Sequence, residues 1–194
     1  MTRDEAYQLL TKYLQNKNLI KHSLSCEVTM KALYRHFNEG KSSYAKATED
    51  TWGITGLLHD VDYEISQKNG DVEKHGTLVF IPEKDTIPAD ILHGIQAHAY
   101  HYSKVMPENN MDWAITACDQ LTGLIVAAAL VTPEKKLSTV TTEKVLKRFK
   151  EKAFAKGADR EEILKCESQL NIPLAEFVAI TLTAMQTISN DLGL

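Results

Sequence analysis

Apolar residues recur at intervals of three and four along most of the chain, which is the spacing of one face of an α-helix. The clearest example is the segment 19–38, whose shared face carries Leu19, His22, Cys26, Met30, Leu33 and Phe37. His22 therefore lies among the apolar positions of this segment. No alternating run is long enough for a sheet strand. The pattern predicts an all-α domain without internal repeats.

Capping residues, glycines and prolines divide this pattern into separate helices. Thr2 and Glu5 form a capping box that begins the first helix. The predicted helices cover about residues 2–16, 19–38, 52–61, 72–81, 88–102, 113–131, 143–150, 159–170 and 173–192. Thr51 and Asp112 are the predicted N-caps of the helices at 52 and 113. The polar residues 41–50 predict an exposed connection, and residues 62–71 predict a loop.

Composition places the chain among soluble globular proteins, with 194 residues, 43% hydrophobic and 25% charged. A net charge of −4 gives no sign of a nucleic-acid footprint. The N-terminus lacks an apolar signal region, and the longest apolar run, residues 124–131, is too short to span a bilayer. We therefore predict a cytoplasmic protein with neither a nucleic-acid polymer nor a membrane as partner. A homodimer is left open.

The three cysteines are widely separated and odd in number, and each lies within a helical pattern without CxxC spacing. They are Cys26, Cys118 and Cys166. We interpret them as reduced core thiols of a cytosolic protein.

The chemistry of the chain centres on the segment 56–64, where His59 and Asp60 stand side by side at the end of an apolar helix. Imidazole and carboxylate at the edge of a core are donor groups for a divalent metal. Asp119 lies in an equally apolar segment, where an unpaired carboxylate would cost several kcal/mol. It must be protonated, paired or bound to a cation. A helix cap or a salt bridge to an arginine is the alternative to a metal.

Other ligand-type residues on apolar faces favour the metal, namely His22, His59, Asp60 and His98. A single core histidine is usually satisfied by a backbone carbonyl, and for His22 alone both interpretations stand. Three such histidines and two acids on four helices are hard to explain as separate accidents. His59 and Asp60 differ by about 100° in helical direction. Their different reach still lets both meet one ion beyond the helix end.

A histidine, then a His-Asp pair, then a distant aspartate, all in helices, resembles the HD superfamily of metal-dependent phosphohydrolases. The residues are His22, His59, Asp60 and Asp119, and the resemblance covers about residues 19–131. The stretch 119–125 and the tail after it look like a group of small bacterial predicted HD hydrolases. The resemblance implies one HD-type domain over residues 1–194, with the metal site in the middle of the bundle. Residues 132–194 would pack on this metal-binding core.

The resemblance also implies the ligand set. His22, His59, Asp60 and Asp119 would bind one divalent ion, with manganese, iron, zinc, cobalt and nickel left open.

His75 and His98 match two further histidines of members that hold two ions, and Asp60 would then bridge them. For each of these two histidines, exposure to solvent is the alternative. His93 and His101 are rivals for His98, and His101 could face the same cavity, toward the substrate.

One feature departs from the family pattern. Many members carry a lysine just after the His-Asp pair, whereas this chain has Asp62 and Glu64. Their charge would disfavour a highly anionic group nearby, unless they hydrogen-bond to a ligand histidine or to water. The candidates for anion contacts elsewhere, or for simple solvated side chains, are Lys21, Lys74, Lys104 and Arg160.

The function that the resemblance implies is hydrolysis of a small phosphorylated substrate, a phosphoester or nucleotide, by metal-activated water. Asp60 or His101 would move the proton. Two alternatives stay open at this point. One is an HD-type oxygenase with two irons, and the other is a non-catalytic binding module whose ions are structural.

Overall fold

The chain folds into helices, and the described residues contain no strand. The structure is a computed structural model that describes residues 1–39 and 47–194. Its α-helices are α1 (Arg3–Tyr13), α2 (Lys17–Asn38), α3 (Glu49–Leu58), α4 (Tyr63–Asn69), α5 (Ala89–His98), α6 (Tyr100–Ser103), α7 (Asn110–Leu130), α8 (Thr142–Lys150), α9 (Arg160–Ile163), α10 (Lys165–Ser168), α11 (Leu174–Thr187) and α12 (Ser189–Leu192). Short 3₁₀ helices cover Val72–Lys74, Pro82–Thr86 and Leu137–Thr139. The all-α prediction is confirmed.

The helix starts follow the side chains that cap them. The capping box of Thr2 and Glu5 is present, with the Glu5 amide donating to Thr2 and the Thr2 amide donating to Glu5. Helix α2 begins two residues earlier than predicted because the Asn16 side chain accepts the Asn18 amide.

Two predicted N-caps are wrong by one helical turn. Thr48 caps α3, and Thr51 is the third helical residue and completes the capping box. The Asn109 side chain likewise accepts two amides at the start of α7, which places Asp112 inside the first turn. The predicted connection 41–50 is thus partly helical from Glu49 onward, and its residues 41–46 lie outside the described ranges.

The prediction for residues 62–81 is wrong, because the loop and the helix are exchanged. The predicted loop contains α4, and the helix predicted over 72–81 is a single 3₁₀ turn followed by irregular chain. The cause lies in Asp62, whose carboxylate accepts the amides of Gly76 and Leu78. Both residues have positive φ, 76° and 54°, which no α-helix contains. A Cβ on Gly76 would also lie 2.5 Å from the Ala99 Cβ, so this close approach requires glycine.

Three further predicted helices are each divided in two by a non-helical or distorted residue. The breaks lie at Ala99, between α5 and α6; at Leu164, between α9 and α10; and at Ile188, between α11 and α12. The last helix ends at Gly193, as predicted.

The site is positioned where α2, α3, α5 and α7 pack together. Buried apolar residues form two clusters, one around α7 and the C-terminal helices and one around α1, α3 and α5. Leu121 and Phe177 represent the first cluster, and Leu58 and Ile95 the second. The three cysteines are buried and free.

Helix α7 is long and apolar enough to cross a membrane by length and composition alone. Within the described part of the chain, however, 61% of its most apolar window is buried, as in a core helix.

Candidate metal centre

Six predicted ligands converge at one place in the structure. His22 comes from α2, His59 and Asp60 follow the last residue of α3, and Asp119 lies in the middle of α7. The remaining two are His98, the last residue of α5, and His75, which follows the first 3₁₀ helix. The first group consists of His22, His59 and Asp119, and the second group consists of His75 and His98. Asp60 lies between the groups.

In the first group, the imidazole Nε2 atoms and one carboxylate oxygen face each other. His22 Nε2 lies 2.8 Å from Asp119 Oδ1 and 3.2 Å from His59 Nε2. His59 Nε2 lies 3.6 Å from the same Asp119 oxygen. The buried thiol of Cys26, one turn after His22, lies within 4.8 Å of these donor atoms. The first group could therefore hold a metal ion.

In the second group, His75 Nε2 and His98 Nε2 are 3.1 Å apart. Together with Asp60, they form a buried set of donors that could also hold an ion.

Asp60 faces both groups with different oxygen atoms. Its Oδ2 lies 3.6 Å from His22 Nε2 and 3.5 Å from His59 Nε2. Its Oδ1 lies 3.3 Å from His75 Nε2 and 3.7 Å from His98 Nε2. One carboxylate thus spans the space between two clusters of donors.

The opposite nitrogen of each histidine is hydrogen-bonded to the surrounding structure. His59 Nδ1 donates to the Gly56 carbonyl at 2.8 Å, and His98 Nδ1 donates to the Ile95 carbonyl. His22 Nδ1 lies 3.3 Å from the Thr122 hydroxyl, whose own proton is donated to the Asp119 carbonyl. Bonds of this kind fix the tautomer and direct Nε2 to the centre, which is the usual arrangement around metal-binding histidines.

Asp62 does the same for His75. It is fully buried, and its Oδ1 accepts the His75 Nδ1 proton at 2.8 Å. It contacts His75 on the side opposite Nε2, and the hydrogen bonds that it accepts from Gly76 and Leu78 hold the loop that carries His75. The departure from the family pattern at this position therefore has a structural explanation.

Glu64 lies away from the donors. Its carboxylate accepts the amides of Gln15 and Asn16 and pairs with Lys68. It connects α4 to the turn between α1 and α2, so its charge serves the fold.

Burial and neighbouring charges shift the pKa values of the site residues in opposite directions. Burial alone would lower the pKa of His75, but Asp60 and Asp62 raise it to about 10. Burial lowers the pKa of His98. For Asp119, burial works against ionisation, yet His22 and His59 hold the pKa of the carboxyl well below its usual range. Protons on imidazoles thus balance the carboxylates, and a cation would have to displace them.

The other histidines do not join the cluster. His101 has 65% of its side chain exposed, and its Nε2 lies 3.2 Å from Glu162 Oε1. His93 Nδ1 lies 3.1 Å from Asp112 Oδ2, at the start of α7. The structure therefore places both predicted rivals of His98 outside the donor set, and His101 away from its predicted position facing the cavity.

A pocket of about 660 Å³ opens onto the donors, with His22, Asp60, His75 and Asp119 in its wall. Further lining residues are Tyr63, Tyr102, Gln120, Gly123, Ala155, Gly157 and Ala158.

Sequence reasoning missed the outer partners of the ligands. Gln120 donates to Asp119 Oδ2 at 2.6 Å, and its Oε1 accepts the Asp159 amide at 3.0 Å. Thr122 and Cys26 stand three and four residues from a ligand, a spacing that marks one helix face and could have identified them. The sequence analysis did single out Asp62, with a hydrogen bond to a histidine as one interpretation, but no spacing identifies its amide partners Gly76 and Leu78 in the irregular loop.

Comparison of the chain with protein-family models, with curated proteins and with solved structures found no match. What the donor set supports is a buried group of His, Asp and Cys side chains that could bind metal.

Proposed function

We propose that this protein is a metal-dependent hydrolase of the HD type that hydrolyses a small phosphoester. The observation that carries the proposal is the position of Asp60, whose two oxygens face separate groups of imidazole nitrogens. This arrangement agrees with the order of motifs that resembles the HD superfamily.

The donors fit a pair of divalent ions. Neighbouring donor atoms lie between 2.8 and 3.7 Å apart, and ligands that share one ion at about 2.1 Å stand roughly 3.0–3.5 Å apart. His22, His59, Asp119 and Asp60 would hold one ion. His75, His98 and the other oxygen of Asp60 would hold the second. Imidazole with carboxylate suits manganese, iron, zinc, cobalt or nickel.

Such ions lower the pKa of water and stabilise charge that develops on a phosphoryl group. The chain's own residues orient the site. Asp62 and the carbonyls of Gly56 and Ile95 bind the Nδ1 protons, which leaves the Nε2 lone pairs directed inward. Asp60 borders both groups and the pocket, so we assign the proton-accepting role to its carboxylate. His101 has no part in this proposal, because it is paired with Glu162.

The test is metal analysis of protein purified without chelator, followed by assays on a panel of phosphomonoesters and nucleotides. We expect two equivalents of metal per chain and turnover that persists without dioxygen, also with manganese alone. Turnover that requires iron and dioxygen would establish the oxygenase instead. Tightly bound metal without turnover of any phosphoester would establish a binding module.

A further inference from the structure

The pocket over the metal centre has an uncharged outer wall. Within residues 1–39 and 47–194, no lysine or arginine lines it. Its side away from the donors is made of Gly123, Ala155, Gly157 and Ala158, with Tyr63 and Tyr102 beside His75. Enzymes that bind several phosphate groups surround them with lysine, arginine or metal. This wall offers none of these side chains.

The basic residues nearest in sequence to the site are bound to other groups of the protein. Lys21 lines a neighbouring cavity of about 410 Å³ that shares His22 and Gly123 with the pocket, and its ammonium donates there to the Leu192 carbonyl at 2.6 Å. Lys74 pairs with Asp71, and Lys104 donates to the His101 carbonyl.

Arg160 holds the wall itself. Its guanidinium donates to the carbonyls of Phe149, Phe154, Ala155 and Ala158. These bonds order the loop that faces the metal-binding side chains, and they use four of the five N–H groups of the guanidinium. Arg160 therefore shapes the pocket without adding a phosphate contact.

The carboxylates limit the positive charge further. Asp60, Asp62 and Asp119 would together offset three of the four charges that two divalent ions bring. A site with so little excess charge, and without basic side chains, suits one phosphate group far better than three.

Gly123 is exposed and leaves open space in the wall of the pocket. A Cβ placed there would meet no atom within 4 Å, and its backbone is helical in the middle of α7. The other glycines inside α3 and α5, Gly53, Gly56 and Gly94, each have a neighbour within 2.4–2.7 Å of that position. Glycine costs about 1 kcal/mol relative to alanine inside a helix. At position 123 no close neighbour explains this cost, and the space left by the missing side chain adjoins Asp119.

We propose that the substrate carries a single phosphate and an uncharged organic group, and that this group lies over Gly123. The inference rests on the proposed function. The phosphate would reach the metal centre, and the organic group would contact the small residues and the two tyrosine rings. Nucleoside di- and triphosphates would be poor substrates, because their additional phosphates would have no partner in the wall.

The first test compares a nucleoside monophosphate with the triphosphate of the same nucleoside, at constant free manganese. We expect kcat/KM to favour the monophosphate by at least about 100-fold. The melting temperature of the metal-loaded protein gives a readout independent of turnover. Inorganic phosphate should raise it, and tripolyphosphate should not raise it further than inorganic phosphate does. Equal turnover of both nucleotides would overturn the inference and leave the hydrolase proposal intact. Failure to hydrolyse any phosphoester would overturn both.

The second test adds the missing charge, with Gly123→Lys against the neutral control Gly123→Gln. Both side chains occupy the same space, so both should raise KM for a bulky monophosphate by about tenfold. Only the lysine should reduce the ratio of kcat/KM for the monophosphate to kcat/KM for the triphosphate, also by about tenfold. Identical preferences in the two variants, or an unchanged KM in both, would show that the substrate does not pass over this residue.

The third test uses the metal-free protein. Gly123→Ala should raise the melting temperature by about 2–4 °C, because it replaces a helical glycine where nothing crowds the new methyl group. Lys147→Ala, on the exposed face of α8, serves as the control and should change it by less than 1 °C. A destabilised Gly123→Ala would mean that the glycine has a structural role and would contradict the argument from open space.

Discussion

The first and second groups of donors differ in how the chain positions them. His22 and Asp119 stand in the interior of the two longest helices, α2 and α7. His75 stands on an irregular loop, and its orientation depends on the hydrogen bond that its Nδ1 donates to Asp62. Helix packing places His22 and Asp119 of the first group and His98 of the second, whereas a buried polar network places His75. The two halves of the centre should therefore respond differently to the same kind of change.

Asp60→Ala should have the largest effect, because it removes the one residue that both groups share. We expect metal content to fall from two equivalents to near zero and activity to fall by about 10³-fold, which corresponds to about 4 kcal/mol of barrier. Metal analysis and far-ultraviolet circular dichroism provide the measurement, and helical content should persist. Wild-type metal content in the purified variant would show that Asp60 is no ligand.

Asp119→Asn and His75→Ala separate the two groups. We expect each to leave about one equivalent of metal and to reduce activity by about 10²-fold or more. The loss of His75 should also lower the free energy of unfolding of the metal-free protein at pH 7, because the buried carboxylates of Asp60 and Asp62 lose the imidazole that pairs with them. Titration of each variant with manganese gives the stoichiometry. Retention of two equivalents by His75→Ala would remove His75 from the ligand set.

Asp62→Asn tests the polar network behind the second group. An asparagine keeps the shape but loses one acceptor oxygen and its charge, so the affinity for the ion held by His75 and His98 should fall by about 10–100-fold. The affinity for the ion held by His22, His59 and Asp119 should stay within about twofold. Calorimetric titration resolves the two binding steps. A uniform loss at both steps would contradict the separation of the groups.

The pH dependence follows from the pKa of His75, which the neighbouring aspartates raise to about 10. In the metal-free protein this interaction stabilises the fold below the ordinary pKa of about 6.5, and it is lost as the pH rises through about 10. The melting temperature of metal-free protein should therefore fall between pH 7 and pH 10. Metal affinity should rise over the same interval, since bound protons compete with the ion. In His75→Ala the fall in melting temperature should be smaller, and an equal fall would assign it to other groups.

His101→Ala should have the smallest effect. The side chain is largely exposed and paired with Glu162, so kcat/KM should change by no more than about twofold. Steady-state kinetics across pH 6–9 is the measurement. A tenfold loss, or the loss of one limb of the pH profile, would restore the proton-moving role that the sequence predicts.

The sequence allowed the helical part of this site to be predicted and left the rest undetermined. Periodicity placed His22 on an apolar helix face, and the apolar neighbours of Asp119 predicted a position at the core; in the structure both side chains are partly buried. The same periodicity placed His75 on a helix that does not form, because the loop amides of Gly76 and Leu78 donate to the Asp62 carboxylate, more than ten residues earlier. Such contacts have no period. Helix α4 was missed for a related reason: only Ser66 of its residues is fully buried, so it carries no apolar stripe.

The two hydrogen bonds of Gln120 restrict which residues can occupy the position after Asp119. This side chain donates to the carboxylate through its amide nitrogen and accepts the Asp159 amide, next to the pocket-lining loop 155–158, through its amide oxygen. Among side chains of this length, only glutamine carries a donor and an acceptor side by side at its end, and asparagine is one methylene shorter. A glutamate there would set two carboxylates against each other, and a lysine would leave the loop amide unpaired. Relatives that keep Asp119 and this loop should therefore keep glutamine at the position after the aspartate, and homologous sequences can be read for that pairing.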